Sequence, residues 1–303
     1  MKKLSRMTLG TVQLGLDYGI ANTEGKPDDE KAFSILDKAM EKGVNCLDTA
    51  AGYGDSEEVI GRWLKQSVVN RDDLHIATKF KLGDIGPSDV EYDLIGSVER
   101  SLVKLGTDYV DFLLMHDAGE YSKYGKEIDS AISKLLKQGC IKAAGASGYD
   151  YEGIREIAQK DMYEVFQIPV NLLDYRITGT EAEEKLKGKI VFARSVYLQG
   201  LFFRETGSLC GNLSDISIFI NRIREIADRY NFSVARLAMG YVNSLSYIDS
   251  LVVGADNPGH VEDNAGLIGK PLFAGDFMDM LKNELGGAPE WLFYPWKWDK
   301  QEV

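Results

Sequence analysis

The sequence is poor in cysteine and has no long hydrophobic run. Its three cysteines, Cys46, Cys140 and Cys210, form no C-x-x-C pair and no spaced framework, which argues against a disulfide scaffold and favours reduced thiols. No segment approaches the roughly 20 apolar residues that a membrane-spanning helix needs. The first residues are basic, but no sustained apolar segment follows them as it would in a signal peptide. These absences predict a cytoplasmic protein without a membrane partner.

The sequence also has fewer basic residues than acidic ones. Lys and Arg number 35 against 47 Asp and Glu, which gives a formal net charge of −12. A chain this acidic lacks the broad cationic face that nucleic acid or an anionic lipid surface requires. A few local donors can still bind a small ligand that carries phosphate. The composition therefore favours a small-molecule partner over nucleic acid or membrane.

Short apolar runs alternate with longer segments of helical period along the chain. The runs are nearly continuous in apolar residues, which is typical of strands covered on both faces. They lie at 7–10, 44–47, 75–78, 110–115, 141–146, 165–168, 190–193 and 248–253. The predicted helices lie at 30–42, 59–65, 88–106, 129–138, 151–160, 217–230, 233–246 and 260–268. Ser88 is a candidate cap for the third of these helices.

This alternation predicts a closed (β/α)8 barrel, the TIM-barrel fold, as a single α/β domain over residues 1–303. The alternative is a doubly wound open sheet, in which a G-x-G-x-x-G turn directly follows a strand. The nearest candidate, Gly52-Tyr53-Gly54, lacks the third glycine. The segment 290–298 (EWLFYPWKW) is unusually aromatic, and we expect this C-terminal tail to fold back onto the barrel.

Polar residues stand where three successive predicted strands end. Asp48 follows the second run, Tyr53 comes shortly after it, Lys79 follows the third run and His116 the fourth. The carboxyl ends of barrel strands carry the active site, so these side chains should share one space. Reduction of a carbonyl needs a proton at its oxygen, and a nearby ammonium makes a tyrosine a stronger acid. Because no protein side chain donates hydride, a nicotinamide cofactor is implied.

The same residues stand in segments that resemble the aldo-keto reductase family. Segment 47–57 (LDTAAGYGDSE) is similar to the family's D-T-A-x-x-Y signature, and 77–79 (ATK) and 114–116 (LMH) resemble its Lys and His segments. Further similar segments, in family order, are 10–15 (GTVQLG), 145–148 (GASG), 166–168 (FQI), 199–201 (QGL), 253–258 (VGADNP) and 262–264 (EDN). The resemblance implies an NAD(P)H-dependent reductase of aldehydes or ketones, with a tetrad of Asp48, Tyr53, Lys79 and His116 and no metal.

The resemblance also implies which residues bind the cofactor, NADPH or NADH. Ser147 and Gln167 would hydrogen-bond the nicotinamide carboxamide, and Asp263 and Asn264 would contact the adenine end. The other implied cofactor residues are Gly10, Thr11, Arg194, Ser195, Leu198, Gly200, Gly254, Ala255, Asp256 and His260.

Three departures from the family pattern concern this cofactor site. Gly148 stands where the family commonly has Asn, and Arg194 stands where an aromatic residue often stacks on the nicotinamide. Gly254, Asp256 and His260 occupy positions where many members hold the 2′-phosphate of NADPH with basic or polar side chains. We therefore expect NADH to be used at least comparably to NADPH.

Two other functions fit the same fold. A nucleotide-sensing regulatory subunit with residual activity, similar to the potassium-channel β subunits of the family, would also keep the tetrad. A lyase would use Lys79 as a Schiff-base amine. A lyase function would not explain the spacing between Asp48 and Tyr53 or the presence of the 253–264 segment.

The substrate is only weakly indicated by the sequence. Four side chains could receive hydroxyl groups or an anionic group, namely Asn22, Arg176, Arg194 and Arg204. Such a set favours a sugar or a sugar derivative as the carbonyl substrate. No motif predicts an oligomeric state.

Overall fold

A computed structural model describes residues 3–20, 22 and 25–299, and in it eight parallel strands form a closed barrel. In chain order the strands are β1 (Met7–Gly10), β2 (Cys46–Asp48), β3 (His75–Phe80), β4 (Val110–Met115), β5 (Ile141–Ser147), β6 (Tyr163–Pro169), β7 (Ile190–Arg194) and β8 (Ser250–Gly254). Each strand pairs with the next, and β1 pairs with β8 to close the ring. The predicted (β/α)8 fold is confirmed.

Helices follow the strands and cover the outside of the barrel. They are α1 (Val12–Gly15), α2 (Asp29–Glu41), α3 (Ser56–Gln66), α4 (Pro87–Leu105), α5 (Glu120–Gln138), α6 (Tyr151–Ala158), α7 (Glu181–Leu186), α8 (Ser217–Arg229), α9 (Val234–Asn243), α10 (Pro258–Ile268) and α11 (Gly275–Leu285). Short 3-10 segments lie at Arg71–Asp73, Leu198–Phe203, Thr206–Ser208, Gly211–Ile216, Glu290–Phe293 and Pro295–Lys297. Within the described residues, no helix is both long and apolar enough to cross a membrane.

Several element boundaries differ from the sequence-based predictions. Helix α4 starts after Gly86 with a proline at its first position, so Ser88 is not its cap. Proline suits the first turn because its fixed φ is already helical and its missing N–H has no partner there. Helix α5 starts at Glu120, nine residues before the predicted start at 129, and has a kink at Tyr124, where φ is −129°. The short helices α1 and α7 and the helix α11 were not predicted.

Burial on both faces explains why the strands have nearly continuous apolar sequences. Every residue of β3 and β4 is buried. One apolar cluster fills the inside of the barrel and consists of Cys46, Ala77, Phe112, Leu114, Ala143, Val165 and Phe192. A larger cluster fills the layer between strands and helices. Burial raises the pKa of the Cys46 thiol, which makes this cysteine an unreactive core residue.

A buried carboxylate lies in the amino-terminal half of the barrel. Asp111 Oδ2 accepts hydrogen bonds from Arg71 at 2.9 Å and from the Ile76 backbone at 3.0 Å, and Lys142 reaches Oδ1 at 3.1 Å. Burial by itself would raise the pKa of Asp111. Its hydrogen bonds, with His75 and Arg71 among the donors, outweigh burial and lower the pKa to about 2. This carboxylate therefore ties β3 and β4 together on the side away from the strand ends that carry the site.

The aromatic tail folds back onto the barrel, as predicted. Its two 3-10 segments bury Leu292 and Phe293, and Trp298 is 5% exposed. The indole of Trp298 donates to the Leu292 carbonyl at 2.9 Å. Tyr294 accepts a hydrogen bond from Arg176 at 3.0 Å. The tail is therefore fixed near the loops that follow β5 and β6.

Candidate active site at the carboxyl ends of the strands

The carboxyl ends of neighbouring strands bring the four predicted catalytic residues together. Asp48 is the last residue of β2, Lys79 lies near the end of β3, and His116 directly follows β4. Asp48 pairs in register with Ala77, so Asp48 and Lys79 lie on adjacent strands close to the same edge. Tyr53 lies in the turn after β2, where its backbone N–H donates to the Ala50 carbonyl at 3.0 Å.

Lys79 is buried behind Asp48 and Tyr53. Its ammonium donates to Asp48 Oδ1 at 2.7 Å, to the Thr49 carbonyl at 2.9 Å and to the Tyr53 hydroxyl at 3.4 Å. Burial by itself would lower the pKa of Lys79. The charge of Asp48 and the hydrogen bonds outweigh burial, so the pKa is raised and the ammonium is retained. A fixed positive charge therefore lies next to the Tyr53 hydroxyl.

His116 faces Tyr53 from the next loop. The two rings are in edge contact, with centroids 5.6 Å apart and planes at 82°. Burial lowers the pKa of His116 to about 3, and the positive charges of Lys79 and Arg194 act in the same direction. His116 is therefore a neutral imidazole at neutral pH, able to donate one hydrogen bond without carrying charge.

Gln167 is coupled to the same carboxylate. Its side-chain amide donates to Asp48 Oδ1 at 2.7 Å, the oxygen that also accepts from Lys79. Its carbonyl oxygen lies 3.4 Å from the Ser147 hydroxyl. Ser147, Gln167 and Asp48 thus form a buried hydrogen-bonded chain across the mouth of the barrel.

These side chains border one cavity with a volume of about 670 Å³. Fifteen of the predicted site residues line it: Gly10, Thr11, Asp48, Tyr53, His116, Ser147, Gln167, Arg194, Ser195, Gly200, Gly254, Asp256, His260, Asp263 and Asn264. The volume lies within the range of roughly 300–1,000 Å³ that is usual for ligand and cofactor sites. The cavity extends from the ends of β2 and β4 to the loop and helix that follow β8.

The loop after β7 has an unusual backbone along this cavity. Ser195, Leu198 and Gln199 have positive φ values of 62°, 49° and 56°, and Gly200 follows with 87°. Left-handed conformations of residues other than glycine store strain of roughly 1–3 kcal/mol each, and such strain concentrates at functional sites. The loop is therefore built to hold a particular shape at the cavity wall.

Arg194, at the end of β7, lies against an aromatic ring. Its guanidinium carbon is 4.0 Å from the centroid of the Tyr149 ring, and one of its nitrogens is 3.4 Å from the Ser195 hydroxyl. Tyr149 in turn contacts Trp296 of the tail at 4.8 Å between ring centroids. The tail is thus connected to the cavity through two side chains.

The far end of the cavity carries acidic and amide groups. Asn264 Oδ1 accepts a hydrogen bond from the Tyr197 hydroxyl at 2.6 Å. The His260 ring nitrogen lies 3.7 Å from the Asp256 carboxylate, and Asp263 lines the same end. Across the part of the chain that the structure describes, the only Lys or Arg that lines the cavity is Arg194.

The comparison with protein families decides the identity of this fold and site. The model of the aldo/keto reductase family matches residues 6–282. The chain belongs to the aldo/keto reductase family. Membership identifies it as an NAD(P)H-dependent oxidoreductase that acts on the carbonyl group of a small molecule.

Individual relatives agree with this assignment. The chain is 26% identical to the NADH-specific methylglyoxal reductase of Escherichia coli, over 86% of this chain and 89% of that protein. It is 30% identical to the glyoxal reductase of Bacillus subtilis, over 69% of this chain and 68% of the relative. A solved aldo-keto reductase from Bacillus halodurans, in its holo form, has the same fold, with a TM-score of 0.75, 24% identity and coverage of 93% and 92% of the two chains.

Three predicted site residues of this aldo/keto reductase do not line the cavity. Lys79 is fully buried behind Asp48 and Tyr53. The side chains of Leu198 and Ala255 are 2% and 3% exposed and belong to the core. Their position in the core leaves only backbone groups of these two residues to face a ligand. That these two residues bind the cofactor, as the resemblance implies, stays a prediction.

Sequence reasoning also missed part of the cavity wall. Among the lining residues that were not predicted, six have large polar or aromatic side chains, namely Gln13, Tyr18, Tyr149, Tyr197, Gln199 and Phe203. They lie in loops that follow β1, β5 and β7. The rule that these loops build the site of a barrel could have found them. Of the four residues suggested for the substrate, Asn22 and Arg194 line this cavity, Arg176 lines a neighbouring cleft, and Arg204 lines neither.

Proposed function

We propose that the protein reduces an aldehyde or ketone, with Tyr53 giving the proton to the carbonyl oxygen. The observation that carries this proposal is the position of the Tyr53 hydroxyl, which borders the cavity and lies 3.4 Å from the buried Lys79 ammonium. A nicotinamide cofactor in the cavity would supply hydride to the carbonyl carbon.

Lys79 and Asp48 act by positioning and by charge. The ammonium stabilises the phenolate that Tyr53 becomes once it has given up its proton, since opposite charges attract strongly in a buried site. Asp48 holds the ammonium at 2.7 Å and balances its charge before the reaction. Without that carboxylate, an unpaired ammonium would be costly to bury.

His116 orients the substrate. As a neutral imidazole it donates a hydrogen bond to the carbonyl oxygen but does not compete with Tyr53 as an acid. Its edge contact with Tyr53 sets both groups on one side of the cavity. The carbonyl oxygen would lie between them, with its carbon directed toward the interior.

The cavity residues fit an extended dinucleotide. Gln13 Oε1 is buried at the wall and has no hydrogen-bond partner among the described residues, which leaves an acceptor for a ligand. A Cβ atom at Gly254 would come within 2.3 Å of Gln13 Nε2, so glycine keeps this strand end open. The nicotinamide amide would bind near Ser147 and Gln167, and the adenosine near Asp263 and Asn264. The remaining contacts would come from Gly10, Thr11, Ser195, Gly200, Gly254, Asp256 and His260, and from the backbone of Leu198 and Ala255. We assign Arg194, which the resemblance implied for the cofactor, to the substrate end of the cavity.

NADH is the cofactor that this site favours. The adenosine end carries Asp256 and Asp263, and Arg194 lies at the other end, beside Tyr149 and Ser195. A 2′-phosphate would meet negative charge without a local cation to neutralise it. The similar reductase from Escherichia coli is named NADH-specific, which supports the same preference here.

The substrate is a small polar carbonyl compound, and a sugar derivative is the class we propose. Asn22 and Arg194 line the cavity and can receive hydroxyl or anionic groups. Two similar proteins are named for methylglyoxal and glyoxal, which are small, polar carbonyl compounds, and this supports the proposed class.

The geometry argues against a Schiff-base lyase. Lys79 is charged, paired with Asp48 and absent from the cavity wall, whereas a Schiff base requires a neutral, accessible amine. Borohydride treatment with a carbonyl substrate checks this directly. A covalent adduct on Lys79 would favour the lyase, while an unmodified protein agrees with reduction.

The experiment that tests the proposal measures binding of NADH and NADPH by nicotinamide fluorescence, followed by a panel of small aldehydes and ketones. We expect saturable binding and oxidation of the cofactor with at least one carbonyl compound. A nucleotide-sensing regulatory subunit would bind the cofactor but turn over each compound at a negligible rate. That result would overturn the enzymatic proposal in favour of the regulatory alternative.

A further inference from the structure

Arg194 lines the cavity without an acidic partner among the described residues, whereas three other inner cations each have one. Lys79 pairs with Asp48 at 2.7 Å, Arg176 with Asp174 at 2.7 Å and Arg71 with Asp111 at 2.9 Å. Arg194 forms no ion pair with any Asp or Glu in the described ranges 3–20, 22 and 25–299. Its contacts are the Tyr149 ring and the Ser195 hydroxyl.

Arg194 is half-buried, so its unpaired guanidinium has lost part of its hydration. The effective cost of removing a charge from water is several kcal/mol unless a partner of opposite charge compensates. The cation–π contact with Tyr149 offsets only part of this free-energy cost, since such contacts contribute roughly 0.5–2 kcal/mol. Because Arg194 lines the cavity, its missing partner can be a bound anion.

The charge distribution assigns that anion to the substrate end. Lys79 and Asp48 neutralise each other, so Arg194 adds a net positive charge beside the Tyr53–His116 pair. Arg194 lies close enough to His116 for its charge to help lower the pKa of that imidazole, after burial and Lys79. The acidic groups Asp256 and Asp263 lie toward the loop and helix that follow β8.

The planar guanidinium of Arg194 suits a carboxylate. Its N–H groups form a fork that can bind both oxygens of a carboxylate. The Tyr149 ring lies 4.0 Å from the guanidinium carbon, and Trp296 of the tail contacts Tyr149. Arg194 is thus presented as a rigid anion receptor and not as a mobile surface charge.

We propose that Arg194 binds a carboxylate of the substrate, so that the preferred substrates are oxo acids, including acids derived from sugars. This inference rests on the proposed function, because it assumes that a carbonyl group occupies the space between Tyr53 and His116. Tyr149 is a positioning residue, and the aromatic tail fixes it.

The test compares each acid with its own neutral ester. Wild-type enzyme is assayed with pyruvate, 4-oxobutanoate and glucuronate and with the three methyl esters, using NADH as cofactor. We expect kcat/KM for at least one acid to exceed that of its ester thirtyfold or more. Arg194→Gln should raise KM for that acid at least tenfold, change the ester less than threefold and leave the Kd of NADH within threefold.

A matched control comes from the same region of the chain. Arg204 follows the Leu198–Phe203 segment but does not line the cavity, so Arg204→Gln should leave the preference for the acid unchanged. Arg194→Lys should restore part of the preference, since it keeps the charge but loses the planar fork.

The positioning role of Tyr149 has its own readout. Tyr149→Phe keeps the stacked ring and should keep KM for the acid within threefold of wild type, whereas Tyr149→Leu should raise that KM at least fivefold with little change in kcat. Equal loss of kcat for acid and ester in Tyr149→Leu would assign Tyr149 a general structural role and overturn this part of the proposal.

The remaining outcomes distinguish carboxylate binding by Arg194 from carbonyl reduction itself. Wild-type enzyme that reduces esters and acids equally well would overturn the carboxylate receptor but leave carbonyl reduction intact. Loss of NADH affinity in Arg194→Gln, with the preference for the acid retained, would place Arg194 on the cofactor. An enzyme that reduces no carbonyl compound would overturn the proposed function and, with it, the receptor.

Discussion

The side-chain amide of Gln167 donates to Asp48 Oδ1 at 2.7 Å, across 119 positions of sequence. The same oxygen accepts from the Lys79 ammonium at 2.7 Å. A residue expected to bind the nicotinamide amide is therefore also bonded to the carboxylate that holds Lys79. The cofactor end of the site and the proton-donating end are mechanically coupled through a single oxygen atom.

This coupling predicts that Gln167→Leu lowers kcat as well as cofactor affinity. The change removes a hydrogen bond to a charged group, worth about 1.5–3 kcal/mol, and frees Asp48 and Lys79 to shift away from Tyr53. We expect kcat at saturating cofactor to fall about tenfold. Ser147→Ala removes only the 3.4 Å contact with Gln167 and should lower kcat less than threefold. A Gln167→Leu enzyme with wild-type kcat would show that the bond to Asp48 has no part in the reaction.

Tyr53→Phe should abolish carbonyl reduction while the fold and cofactor binding stay close to wild type. The substitution removes the hydroxyl that lies 3.4 Å from Lys79 and keeps the ring that contacts His116. General-acid catalysis contributes roughly 10²–10⁴-fold, so kcat should fall by that factor. Steady-state rates, the circular dichroism spectrum and the Kd of NADH are the measurements. If the variant keeps more than about a tenth of kcat, Tyr53 is not the acid.

Asp256→Arg should shift cofactor use toward NADPH. The wild-type carboxylate would repel a 2′-phosphate, and a guanidinium in its place would attract it. We expect the ratio of kcat/KM for NADPH to that for NADH to rise about tenfold, or about 1.4 kcal/mol. Asp55, a carboxylate paired with Lys26, lies outside the cavity wall, so Asp55→Arg is the control and should leave the ratio unchanged. A wild-type enzyme that prefers NADPH tenfold or more would contradict the assignment of Asp256.

Asp111→Asn should destabilise the barrel at neutral pH. The side chain of Asp111 is 2% exposed and is bonded by Arg71 and Lys142, so removing its charge leaves two cations without their partner. Breaking such a buried pair costs roughly 3–5 kcal/mol. We expect the free energy of unfolding, measured in urea, to fall by about 3 kcal/mol. Asp84→Asn, at a carboxylate that is 97% exposed and paired with Lys123, should cost less than about 0.5 kcal/mol.

The same carboxylate predicts a pH dependence of stability. The pKa of Asp111 is lowered to about 2 in the folded protein, below the value of about 3.9 for an unperturbed Asp. Its contribution is therefore complete above the unfolded pKa and is lost as the pH falls from about 4 toward 2. The stability difference between wild type and Asp111→Asn should shrink over that window. A difference that stays constant from pH 6 to pH 3, or one that grows on acidification, would contradict the lowered pKa.

The sequence by itself determined the barrel and the polar residues that meet at its mouth. Strands buried on both faces must be apolar throughout, so each strand is visible as a short run without any knowledge of its neighbours. A polar residue that ends such a run can only lie at the rim, which is why Asp48, Lys79 and His116 were found from local pattern alone. Tyr53 was found because its distance from Asp48 is short and fixed.

The tertiary structure alone decided which side chains these residues contact and which loop residues complete the cavity wall. Gln167 bonds to Asp48, which is far away in sequence, and Arg194 contacts Tyr149, which lies in an irregular loop. No periodic pattern in the sequence predicts such contacts. Tyr149 follows β5, yet it contacts Trp296 in the Pro295–Lys297 segment of the tail. Leu198 and Ala255 stand in site-like segments, but the strained loop after β7 and the end of β8 turn both side chains into the core. Such choices depend on loop conformation, which is set by packing against the closed barrel and not by local sequence.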